Sequence, residues 1–182
     1  MRIISGVHKG KRITAPKKLP VRPTTDMAKE ALFNILNNQY HFEGLSVLDL
    51  FAGTGNISFE FASRGATDIY CIDSNAGCVK FIENVSRQLE LGIKVRKMDV
   101  FKFLEQTNNT FDLIFADPPY DLSVDLFSKI HQLVFEKKLL NPNGTLILEH
   151  SKRMDLSALT YFTSKRKYGS SVFSFFEYTD VP

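Results

Sequence analysis

Two stretches of this chain carry residues whose types and spacing could do chemistry. The first is Asp117-Pro118-Pro119-Tyr120, which closes the apolar run Leu113-Ile114-Phe115. Two prolines in succession remove the amide donors that a sheet ladder needs, so a buried strand ends here in a rigid turn. The turn also has a chemical use. The Asp117 carboxylate and the Pro118 carbonyl are two fixed acceptors, a match for the two hydrogens of an exocyclic amine on a nucleobase. The lone pair of such an amine is delocalised into the ring. Holding both hydrogens lets the nitrogen turn pyramidal and aim its lone pair at an electrophilic methyl group, and the preset acceptors favour the ammonium that develops. No histidine base has to act first. Tyr120 adds an aromatic face on which an extruded base can stack.

The second stretch runs from Ser46 to Glu60. Val47, Leu48, Leu50 and Phe51 form a nearly unbroken apolar run, as expected of a parallel strand covered on both faces. Gly53 and Gly55 then permit a tight turn and a close approach of backbone to ligand, and Ile57 with Phe61 restarts the chain as a helix. Strand, glycine turn and helix point the helix N-terminus at the crevice beyond the carboxyl end of the sheet. A dinucleotide fingerprint would have a third glycine at position 58 and no carboxylate beside the phosphates, whereas this chain has Ser58 and Asp49. Asp49 suits a ligand that carries an ammonium group, as S-adenosylmethionine does. Asp73, ending the run Ile69 to Ile72, stands where an acid can accept hydrogen bonds from a ribose diol. Asp99, after the strand Ile93 to Arg96, can bond an adenine amino group and also cap the helix Val100 to Glu105. The bland alternative is a ligand-free α/β turn with ordinary surface aspartates.

These residues need elements to position them, and the periodicity supplies most. A helix begins at Thr24-Thr25-Asp26, with the doublets Met27/Ala28, Ala31/Leu32 and Ile35/Leu36 giving it one apolar face that should dock on the main domain. Val79, Ile82, Val85 and Leu89 mark a helix within Asn75 to Leu91, with Gly92 as its expected C-cap. Thr145 to Leu148 reads as a fifth strand with Glu149 and His150 at its end, His150 having no assigned role. Lys165 to Tyr168 and Val172 to Glu177 read as an antiparallel hairpin turning at Gly169-Ser170, its second strand apolar on both faces and so inserted within the sheet.

The chain of 182 residues, 43% of them hydrophobic, is enough for one domain with a substantial core. No apolar run reaches membrane-spanning length and the N-terminus lacks a signal peptide's apolar segment, so a cytoplasmic protein is expected. Cys71 and Cys78 fit neither a disulfide framework nor a zinc spacing, and His8 and His41 stand alone, so no metal is expected. The net charge of +3 conceals an asymmetry. Residues 1–25 hold seven basic residues and no acid, which leaves −4 for the remainder. A basic extension on a mildly acidic body suggests a polyanionic partner; a solvated arm is the alternative. Ile3-Ile4 before Gly6, and Gly10 before Ile13, read as short strands with turns between them.

Asp49 to Gly55 with Asp73, Asp99 and Asp117-Pro118-Pro119-Tyr120 resembles a class I S-adenosylmethionine-dependent methyltransferase that acts on an amino nitrogen. Arg2-Ile3-Ile4-Ser5-Gly6, Lys9-Gly10, Arg22 to Asp26, Glu30, Leu32-Phe33-Asn34 and Ser63-Arg64-Gly65-Ala66 narrow the match. Together they resemble the RsmD family, bacterial enzymes that methylate the N2 amine of one guanine, position 966, in 16S ribosomal RNA. The resemblance implies an α/β fold: a doubly wound, mostly parallel, seven-stranded Rossmann-like sheet with an antiparallel C-terminal hairpin and a small N-terminal β-hairpin and helix extension. It implies a single domain, with residues 1–43 as the RNA-facing extension and residues 44–182 as the catalytic core. Cofactor-binding residues would be Asp49, Phe51, Ala52, Gly53, Thr54, Gly55, Asp73, Ser74, Asp99, Val100 and Asp117; catalytic residues would be Asp117, Pro118, Pro119 and Tyr120. RNA contacts would come from Arg2, Lys9, Lys11, Arg12, Arg22 and Thr24. The donor would be S-adenosyl-L-methionine, leaving S-adenosyl-L-homocysteine, and the substrate the assembled or assembling 30S subunit, met by a monomer. Ser5 stands where a second glycine is common.

Three rival readings remain at this level. A DNA adenine-N6 methyltransferase shares the amine logic, but this chain has no spare segment for a recognition domain. A glutamine-N5 protein methyltransferase usually has asparagine at the start of the motif and would leave the basic arm unexplained. A catalytically silent RNA-binding assembly factor would have no need for the complete set of residues.

Overall fold

The computed structural model describes residues 1–19, 24–119 and 123–178. Its centre is a seven-stranded sheet in the order β3-β2-β1-β4-β5-β7-β6. The strands are β1 (Ser46–Leu50), β2 (Asp68–Asp73), β3 (Lys94–Lys97), β4 (Phe111–Ala116), β5 (Leu140–Ser151), β6 (Phe162–Tyr168) and β7 (Ser171–Glu177). The first five pair in parallel, and β7 is inserted antiparallel between β5 and β6. Helices α1 (Asp26–Leu36), α2 (Asn56–Ser63), α3 (Ala76–Gln88), α4 (Val100–Gln106) and α5 (Val124–Glu136) cover both faces. Successive strand residues point to opposite faces. Val47 therefore joins Ile69, Phe115 and Phe173 under α1, α2 and α3, while Leu48 joins Ile72, Ile114 and Phe176 under α4 and α5.

Several expectations shift in the structure. The N-terminal segment is a hairpin with one bridge, Arg2 to Arg12, and not a pair of regular strands. The ladder stops because the next amides turn elsewhere: Ile4 N and Ser5 N donate to the Glu60 carboxylate at 2.8 and 3.0 Å. Gly92 is not the cap of α3. The helix ends three residues earlier in a Schellman motif, with Leu91 N bonded to Ser86 O, Glu90 N to Arg87 O, and Glu90 itself in the left-handed region at φ 53°. Strand β5 is much longer than Thr145 to Leu148, since β4 pairs with it from Leu140 and β7 extends it to Ser151. Helix α5, unassigned from the sequence, buries Phe127, Ile130 and Val134 at helical spacing.

The extension is locked down by a buried charge. Glu60 on α2 is fully buried, and besides the two arm amides it receives Arg64 Nε at 2.8 Å and Lys29 Nζ at 3.4 Å. Lys29 on α1 is equally buried and also donates to Arg2 O at 2.7 Å and Asn56 Oδ1 at 2.8 Å. Beside them Gly6, at φ 84°, lies so close to α2 that an added Cβ would sit 1.7 Å from Ser63 O. Removing one member of such a cluster strands the other charges, at about 3–5 kcal/mol. Glu60→Ala is therefore expected to lower urea-unfolding stability by about that amount and to expose the lysines and arginines of residues 1–25 to trypsin. A loss below about 1 kcal/mol with the arm still protected would show that Glu60 is not the anchor.

Candidate functional site

The carboxyl ends of β1, β2 and β4 open into a cavity of about 470 Å³, within the usual range for a small-molecule site. It is built by the β1–α2 turn. Phe51 takes φ 58° where the strand ends, Gly53 takes φ 55°, and Gly55 N bonds back to Ala52 O at 2.7 Å. Phe51, Ala52, Gly53 and Thr54 line the cavity, with Asp49 beneath them. Gly55 does not line it. A Cβ there would meet the Phe59 ring and Ile82 at 3.0 Å, so this glycine lets α2 pack against α3.

The acids divide into scaffold and cavity floor. Asp73 accepts from Gly53 N at 2.8 Å and from Asn75 N at 2.7 Å, so it ties the glycine turn to the start of α3 while lining the cavity. Asp99 caps α4 by accepting from Lys102 N at 3.0 Å, and lines the cavity with Ser74 and Val100. Asp49 is buried and accepts from Ser58 Oγ at 2.6 Å. Cys71 Sγ lies 2.8 Å from that hydroxyl; burial keeps the thiol protonated, and with the Ser58 hydrogen committed to Asp49 the thiol is the donor. Ser58, the position where a dinucleotide fingerprint has glycine, thus secures the carboxylate that distinguishes this site.

Asp117, Pro118 and Pro119 form the wall beside Asp49. Ala116 on β4 pairs with Leu148 on β5, which sets Asp117 and Glu149 side by side at the sheet end. Burial, reinforced by Glu149 and Asp49, holds the Asp117 carboxyl well above its ordinary range, and burial raises Glu149 likewise. Burial, partly offset by the Ser58 hydrogen bond, raises Asp49 to about 7. Thr24, which also lines the cavity, donates to Glu149 Oε2 at 3.2 Å, and its carbonyl accepts from Asn56 Nδ2 at 3.0 Å. His150 is a core residue. Its Nδ1 faces Ser151 O and its Nε2 faces Ser174 Oγ, and burial lowers its pKa.

Of the residues singled out from sequence, Tyr120 and Arg22 lie outside the described residues. Lys9, Lys11 and Arg12 are exposed on the arm, and Arg2 lies 3.8 Å from Asp26 at the first turn of α1. None of these four lines the cavity. Asn56, Ile57, Asn75 and Phe115 do, and the sequence offered only their places beside the glycine turn and strand tips as a signal.

The match to known proteins covers the same ground. The family model described as "Conserved hypothetical protein 95", that of the RsmD family, matches residues 1–177. The chain belongs to this family. Within it, YlbH of Bacillus subtilis is 31% identical, the alignment covering 93% of this chain and 94% of that protein. The Haemophilus influenzae ribosomal RNA small subunit methyltransferase D is 28% identical, over 96% of this chain and 91% of its own. The structure of the Thermus thermophilus protein TTHA0928 superposes with a TM-score of 0.84 at 26% identity, over 98% of this chain and 99% of that one. The fold is that of class I methyltransferases, and no helix among the described residues is long and apolar enough to cross a membrane.

The acids of an RsmD-family site should be visible in stability. A carboxyl whose folded pKa is raised above its unfolded value contributes stability that is present below the unfolded value and lost as pH rises through the folded one. For Asp49 that window runs from 3.8 to about 7. In thermal melts of the ligand-free protein, Asp49→Asn is expected to gain progressively over the wild type as pH rises across this window. A difference that stays flat with pH would mean that Asp49 is not strained when ionised.

Proposed function

We propose that this protein transfers a methyl group from S-adenosylmethionine to the exocyclic N2 amine of a guanine in 16S ribosomal RNA of the small subunit, with guanine 966 of that RNA as the family's target. The observation that carries the reading is the pairing of two carboxylates, the buried Asp49 and the half-buried Asp117, in one cavity beside a proline-fixed carbonyl. Both are held above their ordinary pKa by burial, so both are more stable as anions once a cation arrives. A ligand carrying an ammonium and a sulfonium fits that need. The named activities of relatives such as the Haemophilus influenzae enzyme support the ribosomal substrate.

The donor supplies an electrophilic methyl group on a sulfonium, and the chain supplies the rest. Asp49 would hold the ammonium, Asp73 the ribose hydroxyls and Asp99 the adenine amino group, with Phe51 and Val100 giving the apolar walls. Asp117 and the Pro118 carbonyl take the two hydrogens of the acceptor amine, and the prolines hold these acceptors in place so that no reorganisation is needed during transfer. Burial and the neighbouring Glu149 make the Asp117 carboxylate a stronger base than usual, suited to take the proton that the methylated nitrogen sheds. The exposed basic arm, anchored through Glu60, would hold the RNA by its phosphates and present the target to the cavity, acting in the cytoplasm as a single-domain monomer.

Asp117→Ala is expected to lower labelled methyl transfer to unmodified 30S subunits by at least about a hundredfold, the scale of a lost acceptor in a preorganised site. Calorimetric binding of S-adenosylmethionine is expected to remain. Near-normal turnover in that variant would sink the mechanism.

A further inference from the structure

The cavity has a second basic flank, along the β5–β7–β6 edge of the sheet. Strand register places it. Glu149 on β5 pairs with Phe173 on β7, and Phe173 pairs with Arg166 on β6. Asp117, Glu149, Phe173 and Arg166 therefore stand in one row at the ligand end of the sheet. Three strand spacings separate the backbones of Asp117 and Arg166, about 14 Å. Next in the same row order, His150 pairs with Val172 and Val172 with Lys167, while Lys152 and Arg153 leave the end of β5 immediately after Ser151. All four basic side chains are exposed. Between Ser151 and Ser170 there are five basic residues and one acid, and that acid, Asp155, is 3.0 Å from Lys165. Among the described residues no carboxylate lies within ion-pair distance of Lys152, Arg153, Arg166 or Lys167. Arg2 of the arm meets Asp26 in the first turn of α1, two residues after Thr24 on the cavity wall.

We infer that Lys152, Arg153, Arg166 and Lys167 form a second phosphate-binding surface for the RNA substrate, which flanks the cavity along the β5–β7–β6 edge of the sheet and adds to the hold of the N-terminal arm on the strand carrying the target base. The inference rests on the proposed RNA substrate and extends it to a surface. Unpaired guanidinium and ammonium groups on an exposed strand end contact phosphates without reading sequence, which is what holding a strand across a cavity mouth requires. Edge-strand lysines also discourage sheet-to-sheet pairing, but that role explains β6 alone and not Lys152 and Arg153, which lie in the turn after the interior strand β5. A protein partner with an acidic face would fit the charge as well; RNA is favoured because the row leads from Arg166 straight to the amine-holding Asp117.

The test compares two charge-reversed variants with a control of equal charge change. Arg166→Glu/Lys167→Glu and Lys152→Glu/Arg153→Glu alter the surface. Arg87→Glu/Lys138→Glu alters exposed residues at the C-terminal ends of α3 and α5, toward the opposite end of the sheet. Binding of unmodified 30S subunits and of protein-free 16S RNA is measured against salt, together with kcat, KM and S-adenosylmethionine affinity. Each surface pair is expected to weaken binding to both RNAs at least about tenfold and to flatten the log-log salt slope by about 1.5 to 2, the value for two phosphate contacts. KM for RNA rises while kcat and cofactor affinity stay within about twofold, and the control stays near wild type. Wild-type affinity and slope in the surface pairs, or equal losses in the control, would overturn the inference. Loss on 30S with none on protein-free RNA would assign the surface to a protein and overturn it too. A wild type that methylates no RNA would instead bring down the functional reading on which it rests.

Discussion

A fully buried carboxylate joins the parts of this molecule that the sequence keeps far apart. Glu60 lies in the first helix after the glycine turn, yet it accepts the amides of Ile4 and Ser5, the guanidinium of Arg64 and the ammonium of Lys29. Charges taken out of water are costly unless every partner is present, so the arm, α1 and α2 can only be assembled together. The consequence reaches the cavity without a break. Lys29 holds Asn56, Asn56 holds the Thr24 carbonyl, and Thr24 holds Glu149, which stands beside Asp117. The basic arm is thus fixed to the wall of the cavity that Asp117 lines.

The cavity itself is organised by an opposite use of charge. Whereas Glu60 is satisfied, the buried Asp49 and Glu149 and the half-buried Asp117 are crowded with fewer partners, and loss of solvent raises all three. Such a cluster is uncomfortable when ionised and empty of cations, and it becomes favourable when positive groups enter. Strands β1 and β4 end in line, level with Leu148 of β5, and the two prolines prevent β4 from relaxing away.

The sequence made the chemical centre legible because its signals are local. Asp49 near the end of one apolar run, and Asp73 and Asp117 closing two others, place three acids at strand tips, and the structure finds all three lining one cavity. The antiparallel β6–β7 pair was readable from its turn and from the two apolar faces of β7. Long-range pairing was not. Nothing near Glu60 says that Lys29, on another helix, turns inward to meet it, and Ile57 to Phe61 reads as an ordinary amphipathic turn. Gly55 illustrates a subtler failure: its position suggested ligand approach, while its φ of 72° and the closeness of Phe59 and Ile82 give it a packing role. Glu90 closes α3 in a conformation usually left to glycine, so Gly92 drew attention to the wrong residue. Helix α5 is hidden by its start: it follows a proline turn, and its apolar positions become a face only when β4 and β5 are seen to need a cover.

The central claim is that this site places a methyl group on a guanine amine in small-subunit RNA. It is tested most directly by supplying labelled S-adenosylmethionine with unmodified 30S subunits, protein-free 16S RNA and duplex DNA, and identifying the labelled nucleoside. The account predicts N2-methylguanosine, formed on 30S subunits in preference to the other two. Label on adenine in DNA, or no label on any of the three despite cofactor binding, would contradict it.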